Sequence, residues 1–343
     1  MHLAIDAMGG DFGPHATVRG TLLALAAEPS LTVTLYGRPK AIERELASLP
    51  QRSPLRERLA ITPIEGVLPA SASPSDLIRG SASDNFHVTS LHAVIHALEC
   101  GEADGCVSAG DTGALMALAR ARIGMLKGIS RPAISSAIPA LGERPCYMLD
   151  LGANVDCQSS HLMQFAVMGS EMVRVVDKID MPRVGLLNIG SEQRKGGRLQ
   201  RATDELLRSQ PNNRFTYIGY VEGDGIYRGD VDVIVCDGFV GNVALKTSEG
   251  LARMLGRKLQ SAFESNLWSR LVSLMARPAL ARFKREIDPV RYNGASLLGL
   301  GATVVKSHGS ADARGFSYAI ARAVSEINGQ LPSRLAAGLA QLA

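Results

Sequence analysis

The sequence predicts an α/β protein with a doubly wound, mostly parallel sheet in a three-layer α/β/α arrangement. The first reason is a set of short, nearly all-apolar runs, such as 231–235, which are typical of strands buried on both faces. The second is that a polar, glycine-bearing turn and a segment with helical spacing follow these runs. With 343 residues and 46% hydrophobic content, the chain can bury a large core. We expect residues 1–343 to form one domain, although two closely joined lobes are also compatible with this length.

Six strand–loop–helix units follow one another along the chain. Their predicted strands are 3–7, 105–109, 145–151, 184–188, 231–235 and 302–305. The helices that follow are predicted at 16–27, 114–126, 160–176, 198–209, 244–255 and 313–328. Loops that follow parallel strands share one edge of a sheet, which is where ligands bind in such folds. We therefore expect the six polar loops to line one cleft.

The remaining segments complete the predicted fold. Further strands are expected at 31–36, 59–64 and 215–221, an extended segment at 132–140 that pairs antiparallel with 145–151, and helices at 40–49 and 87–98. The stretch 65–83 is rich in Ser, Pro and Ala and is expected to be a loop. A helical hairpin is expected to protrude at 256–292. The uncapped tail 330–343 is expected to be weakly structured, as either a packed helix or a frayed end.

Composition narrows the class of protein. The amino terminus lacks the pattern of a signal peptide and no run of about eighteen apolar residues occurs, so we expect a cytoplasmic protein. Five cysteines without a CxxC pair favour reduced, buried thiols over disulfides or a zinc site. A dispersed net charge of +4 is too weak for a nucleic-acid surface, so no nucleic-acid partner is expected.

The predicted loops carry groups suited to anions. Neither GxGxxG nor GxxxxGK[ST] follows any strand, so dinucleotide and Walker-type sites are unsupported. Donors and cations at helix starts suit phosphate instead: Asp11, Asp111, Thr112, Asn154, Asp156, Lys195, Asp237, Asn242, Lys246, Lys306 and His308. Simpler roles stay open, as helix caps for the residues at 11, 111 and 112, a solvated helix face for Lys246, and a satisfied loop histidine for His308. His92 and His96 are four residues apart, but no third ligand accompanies them, so no metal site is expected.

Six segments together resemble one known family. They are IDAMGGDFGP (5–14), VSAGDTGALMAL (107–118), LDLGANVDC (149–157), CDGFVGNVALKTSEGLA (236–252), GASLLGL (294–300) and VVKSHGSADAR (304–314). In this order they are similar to the PlsX family of phosphate acyltransferases. The resemblance implies that acyl-[acyl-carrier-protein] and inorganic phosphate are converted to acyl phosphate and free carrier protein, an early step of bacterial phospholipid synthesis. It also implies a homodimer, a fold similar to phosphotransacetylases and isopropylmalate dehydrogenases, and no metal or organic cofactor.

One residue and one stretch of the chain depart from the family pattern. Asp111 stands where the family usually has Asn, and NFHVTSL (85–91) stands where a lysine-rich stretch ending in SSM is expected. Both changes lower the local positive charge near the expected site of an anionic substrate.

The resemblance and the loop positions together nominate the site. The catalytic candidates are Lys195, Asn242, Lys306 and His308, and the phosphate-binding candidates are Gly9, Gly10, Asp11, Ser108, Asp111, Thr112, Asn154, Asp237, Gly241 and Lys246. We expect Lys195 and loop amides near Asn242 to hold phosphate. Asn242, Lys306 or His308 would then face the carbonyl oxygen or the departing sulfur. Phosphate is already anionic and a thiolate is a good leaving group, so a general base is optional. An acyl-cysteine route through Cys157 or Cys236 is the alternative.

The segment 263–285 is basic and amphipathic, and Pro278 is expected to divide it into two helices. It could lie on an anionic membrane at the inner face of the plasma membrane, with Leu267, Trp268 and Leu271 as contacts, or pack in a dimer. The family role would place the protein beside a downstream glycerol-phosphate acyltransferase. Two rival functions remain at this point, a phosphotransacetylase-like enzyme using coenzyme A thioesters and a non-catalytic membrane scaffold.

Overall fold

The computed structural model describes residues 1–47, 50, 53–66, 89–142, 144–192, 194–209, 214–286 and 288–340. Most of the loop expected at 65–83 and the first part of the stretch 85–91 lie outside these residues.

The described strands form one sheet of eleven strands with the order β3-β2-β1-β4-β11-β10-β5-β6-β9-β7-β8. Their bounds are β1 His2–Asp6, β2 Thr32–Gly37, β3 Leu59–Pro63, β4 Gly105–Ser108, β5 Ala133–Ile138, β6 Cys146–Leu149, β7 Arg183–Leu187, β8 Thr216–Val221, β9 Val233–Val235, β10 Ala295–Leu298 and β11 Thr303–Lys306. All strands that the apolar runs predicted are present within a few residues of their expected positions. The four-residue strand β10 was not predicted.

Most of the described α-helices pack on the two faces of this sheet. The α-helices are α1 Pro14–Ala27, α2 Pro39–Leu46, α3 Pro54–Glu57, α4 Ser90–Glu99, α5 Thr112–Arg122, α6 Ser159–Val176, α7 Arg198–Ser209, α8 Gly238–Glu264, α9 Leu267–Glu286, α10 Ala313–Asn328 and α11 Leu331–Leu339, with 3₁₀ helices at Gly223–Tyr227 and Pro289–Tyr292. In contrast to the others, α9 contacts α8. Leu3 packs in a cluster with α1 and α10, whereas Ala4 packs with α4 and α5 on the opposite face. Tyr147 and Met148 of β6 alternate in the same way between two further clusters. The predicted three-layer arrangement is therefore confirmed.

Strand direction corrects the expectation of one shared cleft edge. β3, β2, β1, β4 and β11 are parallel to one another, and β10 runs antiparallel to both β11 and β5. β5 is antiparallel to β6, as expected, and β6, β9, β7 and β8 are parallel again. The two parallel groups consequently point in opposite directions. Loops after β1, β4 and β11 lie at one edge of the sheet, and loops after β6, β7 and β9 lie at the other.

The helical hairpin is formed differently from the prediction. Pro278 lies inside α9 and does not divide it. The break falls between Glu264 and Leu267, where the Asn266 side chain accepts a hydrogen bond from the Ser269 N–H at 2.8 Å and so caps α9. None of the helices in the described part of the chain is both long and apolar enough to cross a bilayer.

Of the two alternatives for the tail, its described residues form the packed helix. Leu331–Leu339 is helical, and Leu331, Leu335 and Leu339 are buried in the same apolar cluster as α6. Burial of one apolar stripe stabilises this short helix although it lacks a side-chain cap.

Candidate active site

The loops after β1, β4 and β11 meet at one edge of the sheet, and we call them the upper loops. The Asp11 N–H donates to the Gly309 carbonyl oxygen at 2.8 Å. Gly10 has φ +84°, and a Cβ there would lie 2.8 Å from the Gly309 oxygen and 2.9 Å from the Ala109 Cβ. A Cβ at Gly9 would lie 2.6 Å from an Asp6 carboxylate oxygen. The predicted residues Gly9 and Gly10 therefore allow three loops to pack closely.

Buried hydrogen bonds tie the first two upper loops together. The Ser108 hydroxyl donates to Asp6 Oδ2 at 2.6 Å, and Ser108 Oγ accepts from the Gly110 N–H at 3.0 Å. The Met8 N–H donates to the other Asp6 oxygen at 3.2 Å. Ser108 is thus committed to the loop framework. Asp6, which the sequence did not single out, organises both loops because a carboxylate can accept several N–H and O–H donors.

Asp111 caps α5, and Thr112 is the first residue of that helix. The Asp111 side chain accepts from the Ala114 N–H at 2.8 Å, so the simpler capping role is confirmed for this residue. A carboxylate performs this function as well as the amide that the family usually carries here.

Lys306 is the buried cation of the upper loops. Lys306 is only 8% exposed. Its Nζ donates to the carbonyl oxygen of Ala109, at 3.3 Å, and to that of Ser307. Burial lowers the pKa of Lys306 to about 8, while the carboxylates of Asp111, Asp6 and Asp11 raise it. The ammonium is therefore held by main-chain oxygens and titrates closer to neutrality than an ordinary lysine.

His308 follows Lys306 at the same edge and is held by Asn293, a residue that the sequence did not single out. The His308 N–H donates to Asn293 Oδ1 at 2.8 Å. Asn293 Nδ2 donates to Ser307 Oγ at 2.8 Å and to the Gly315 carbonyl at 2.7 Å. Burial lowers the pKa of His308, Glu249 raises it, and the cations of Lys246, Lys306 and Arg253 lower it further. These charges on α8 consequently face the upper loops.

At the opposite edge, the loops after β6 and β9 surround Asp150, and we call them the lower loops. Asp150 is fully buried and accepts from the N–H groups of Ile134 (3.0 Å), Ala153 (3.1 Å) and Asn154 (2.6 Å). The Asn154 side-chain amide donates to Asp150 at 2.9 Å and to the Pro132 carbonyl at 2.7 Å. Both amide hydrogens of the candidate Asn154 therefore serve the framework. Burial raises the pKa of Asp150, and these hydrogen bonds lower it.

The beginning of α8 rests on the lower loops, and its first N–H groups are already used. Asp237 caps the helix by accepting from the Val240 N–H at 2.9 Å. The Gly238 N–H donates to the Asn154 carbonyl at 2.7 Å, and the Gly241 N–H donates to the Asp237 carbonyl at 3.0 Å. These three N–H groups, of Gly238, Val240 and Gly241, already have acceptors. The phosphate that was expected at the loop amides beside Asn242 would therefore need other donors.

α8 connects the two edges of the sheet. Asn242, Lys246, Glu249 and Arg253 recur at i, i+4, i+7 and i+11, which places them on one helical face. Asn242 lies at the lower end, where a Cβ on Gly152 would be 3.7 Å from the Asn242 Cβ. Glu249 accepts from Lys246 Nζ at 3.1 Å and lies 4.0 Å from the Arg253 guanidinium. Seven residues of helix span roughly 10 Å, so this face reaches from the lower loops toward His308.

Lys195 and the two candidate cysteines lie outside α8. Lys195 is half-exposed in the loop after β7 and pairs with Glu192 at 2.9 Å. β7 adjoins β9, so Lys195 shares the lower edge with Asn242. Burial raises the pKa of the Cys157 thiol to about 11 and that of Cys236 well above its usual range. Protonated thiols are poor nucleophiles, and this disfavours the acyl-cysteine route.

The membrane-contact candidates lie at the start of α9. Trp268 is 72% exposed, and Leu274 and Met275 on the same helix are also largely exposed. The side chains of Leu267 and Leu271 lie outside the part of the chain that the structure describes. Among the described residues, no group of three or more His, Cys, Asp or Glu side chains is arranged to hold a metal ion.

Comparison with known proteins extends over nearly the whole chain. A model of the family described as "Fatty acid synthesis protein" matches residues 1–334. Proteins named phosphate acyltransferase from Pseudomonas fluorescens (strain Pf0-1) and Pseudomonas syringae pv. syringae (strain B728a) are 47% and 48% identical over 333 residues, covering 97% of this chain and 96% and 95% of those proteins.

Solved structures resemble the fold. A phosphotransacetylase from Streptococcus pyogenes superposes with a TM-score of 0.64 at 17% identity, covering 96% of this chain and 94% of that one. A branched-chain phosphotransacylase from Enterococcus faecalis V583 gives 0.59 at 11% identity, covering 95% and 99%. These likenesses confirm the expected phosphotransacetylase-like fold. The family match over residues 1–334 and the relatives that are 47% and 48% identical show that the chain belongs to the PlsX family of phosphate acyltransferases.

Proposed function

We propose that the protein transfers a long-chain acyl group from acyl carrier protein to inorganic phosphate, forming acyl phosphate and free carrier protein. The observation that carries this proposal is near-half identity over 333 residues to proteins named phosphate acyltransferase. The candidate site is compatible with it, because Lys246, Arg253, Lys306 and His308 bring cations and a donor to one end of the α8 face. The early position of this reaction in phospholipid synthesis is part of the same proposal.

The reaction needs positioning more than proton transfer. A phosphate oxygen attacks the thioester carbonyl carbon, the C–O bond forms, the C–S bond breaks, and sulfur leaves as thiolate. Because a thiol pKa is about 8.5, this departure needs no strong acid. Donors that are fixed around the developing oxyanion each contribute about 3 to 4 kcal/mol. In this proposal Lys306 and His308 supply such donors, and the cations of Lys246 and Arg253 attract phosphate.

Asn242 and Lys195 are proposed at the other end. Asn242 faces the sulfur side of the thioester from the lower loops. Lys195 binds phosphate once it leaves Glu192, since an exposed ion pair of this kind is screened by solvent and is weak. No metal or organic cofactor takes part in the proposed reaction.

The direct test is phosphate-dependent release of free carrier protein from a long-chain acyl carrier protein. We expect release in the presence of phosphate and a roughly hundredfold loss in Asn242→Ala and Lys306→Met, since each removes a donor. Lys258→Met, which changes an exposed lysine of α8, is the matched control and should keep normal turnover. Absence of phosphate-dependent release from the wild-type protein would refute the proposal.

A coenzyme A thioester is the second candidate substrate, because the fold resembles phosphotransacetylases. That reading predicts exchange between acetyl-CoA and phosphate at a rate above that of carrier-protein turnover. We expect the opposite order, and a direct comparison of the two rates decides between the substrates. A purely non-catalytic scaffold would show neither exchange of acetyl-CoA with phosphate nor carrier-protein turnover.

The exposed side of α8 is proposed as the homodimer contact. Phe239, Val240, Val243, Leu251, Met254 and Leu255 are all exposed apolar residues of this helix. Contiguous apolar surface of this kind usually marks a protein interface. Light scattering after gel filtration should show a dimer, and Val243→Glu with Leu251→Glu should shift it to monomer. An unchanged mass in the double variant would remove this surface from consideration.

The hairpin of α8 and α9 is proposed to contact the inner face of the plasma membrane, where a downstream glycerol-phosphate acyltransferase could receive the product. Trp268, Leu274 and Met275 are exposed apolar residues, and Arg277 and Arg282 are exposed cations. Trp268→Glu should reduce flotation with phosphatidylglycerol vesicles, whereas Gln260→Glu, with the same charge change on α8, should not. Equal flotation of both variants would exclude this contact.

A further inference from the structure

Hydrogen bonds hold both the backbone and the ring of His308. Its own N–H donates to Asn293 Oδ1 at 2.8 Å, and its ring Nδ1 accepts from the Ser310 N–H at 3.2 Å. Ser310 Oγ lies 3.0 Å from the same ring nitrogen. A main-chain amide can only donate, so Nδ1 must be the nitrogen that carries no proton.

The proton of the neutral ring is therefore on Nε2. The charged groups that face the ring are Glu249, Lys246 and Arg253 from α8 and Lys306 from β11. Burial lowers the pKa of His308, and the three cations among these four groups lower it further, so both effects favour the neutral ring. A neutral imidazole with Nε2–H is a hydrogen-bond donor and has no free nitrogen that could act as a base.

We propose that Ser310 is a positioning residue whose main-chain N–H fixes the Nε2–H tautomer of His308, so that His308 donates a hydrogen bond to the thioester carbonyl oxygen. This inference rests on the proposed function for the identity of the acceptor. The donor keeps its proton throughout, because phosphate supplies the attacking electron pair and thiolate carries the electrons of the broken C–S bond away. The hydrogen bond strengthens as the carbonyl oxygen becomes negative, which is how such a donor accelerates acyl transfer.

General-base catalysis by His308 predicts the opposite arrangement. A base that received a proton through Nε2 would need Nδ1–H, and Nδ1–H would point at the Ser310 N–H. Two donors would then face each other at 3.2 Å, which is unfavourable in a partly desolvated site.

The tautomer can be measured without substrate. In protein labelled with ¹⁵N-histidine, two-bond ¹H–¹⁵N correlations distinguish Nε2–H from Nδ1–H, and His308→Gln assigns the signal among the seven histidines. We expect Nε2–H for His308 in the wild type and in Ser310→Ala, which keeps the main-chain donor. Ser310→Pro removes that N–H and should give a mixture of tautomers. An Nδ1–H signal in the wild type, or a tautomer that Ser310→Pro leaves unchanged, would overturn the proposal whatever the enzyme's substrate is.

Turnover supplies the second readout. Gln can donate a hydrogen bond but cannot act as a base near neutral pH, so His308→Gln should keep activity within about tenfold of the wild type. His308→Ala should lose about a hundredfold or more, since it removes the donor. Equal loss in the two variants would contradict the donor role. Failure of the proposed function would appear differently, as absence of acyl phosphate from the wild-type enzyme with the Nε2–H signal intact.

Discussion

A Cβ atom on Gly241 would overlap the main-chain carbonyl oxygen of Asp150. Gly241 is one of only two residues of the long helix α8 that are buried, and Asp150 directly follows the neighbouring strand β6. The first turn of α8 can therefore approach the lower loops only with glycine at this position.

Gly241→Ala should destabilise the protein because the added methyl forces backbone to move. We expect a loss of at least 1 to 3 kcal/mol in the free energy of unfolding, together with lower activity. Gly250→Ala is the matched control on the same helix, since no atom lies within 4 Å of its Cβ position. It should stabilise the protein by about 1 kcal/mol through helix propensity. Urea unfolding followed by circular dichroism compares the two, and equal stabilities would contradict the close packing.

Asp150→Asn should be destabilising although it changes few atoms. The carboxylate accepts from three main-chain N–H groups and from the Asn154 amide, whereas Asn would turn an NH₂ group toward some of these donors. We expect a loss of about 2 to 3 kcal/mol in the free energy of unfolding. Turnover with both substrates at saturation should also fall. The exposed Asp156→Asn in the same loop should have almost no effect. Thermal unfolding of both variants checks this, and a stable, active Asp150→Asn would refute it.

Glu326 should make the stability depend on pH. It is buried on α10, accepts from the Ser296 hydroxyl and lies near the partly buried Arg322, and burial raises its pKa from 4.5 to about 7. Because its pKa is higher in the folded state than in the unfolded state, Glu326 makes its full contribution to stability below pH 4.5, where it is protonated in both states. This contribution is then lost as the pH rises through 7.

Glu326→Gln should remove this dependence, because Gln can still accept from Ser296 and never becomes charged. The free energy of unfolding of the variant minus that of the wild type should be up to about 3 kcal/mol larger at pH 8 than at pH 5. Thermal unfolding at both pH values measures the difference, and the exposed Glu205→Gln is the control. A wild-type pH dependence that survives in Glu326→Gln would assign the effect to another group.

Lys306→Met should exchange activity for stability. Because burial lowers the pKa of Lys306 to about 8, the folded state disfavours the charged form, and this cost persists at all pH values below about 8. The variant should therefore be more stable at pH 7, by up to about 3 kcal/mol, while turnover falls about a hundredfold. The wild-type rate should also decline above pH 8, as the ammonium loses its proton. Lower stability of Lys306→Met at pH 7 would show that its hydrogen bonds to Ala109 and Ser307 outweigh the desolvation.

The sequence allowed most elements to be predicted, because buried parallel strands are apolar throughout and the helices after them have clear starts. It did not reveal that the two parallel groups of strands run in opposite directions. β10 is only four residues long and was not recognised, and its antiparallel pairing with β11 and β5 is what separates the two parallel groups. Pro278 was also misleading, because it lies inside α9, whereas the break in the hairpin comes before Leu267, where Asn266 caps α9.

The site was predicted in part. Gly9, Gly10, Asp111 and Gly241 lie where the loop pattern placed them, at turns and helix starts. Asp6, Asp150 and Asn293 were not singled out, because each acts on segments far away in the chain, and such contacts leave no local pattern. Asn154 was interpreted as a ligand-binding donor, but a sequence cannot show that a buried carboxylate and a carbonyl already accept both of its amide hydrogens.

The four polar residues on one face of α8 have a mechanical consequence. Their separations along the axis are set by the rise of an α-helix, about 1.5 Å per residue, and so do not depend on how the two parallel groups of strands sit relative to each other. If those groups shift during substrate binding, the contacts of Asn242 below and of Glu249 above must change, while the spacing between the two residues stays constant. α8 therefore acts as a rigid spacer between the upper and lower loops.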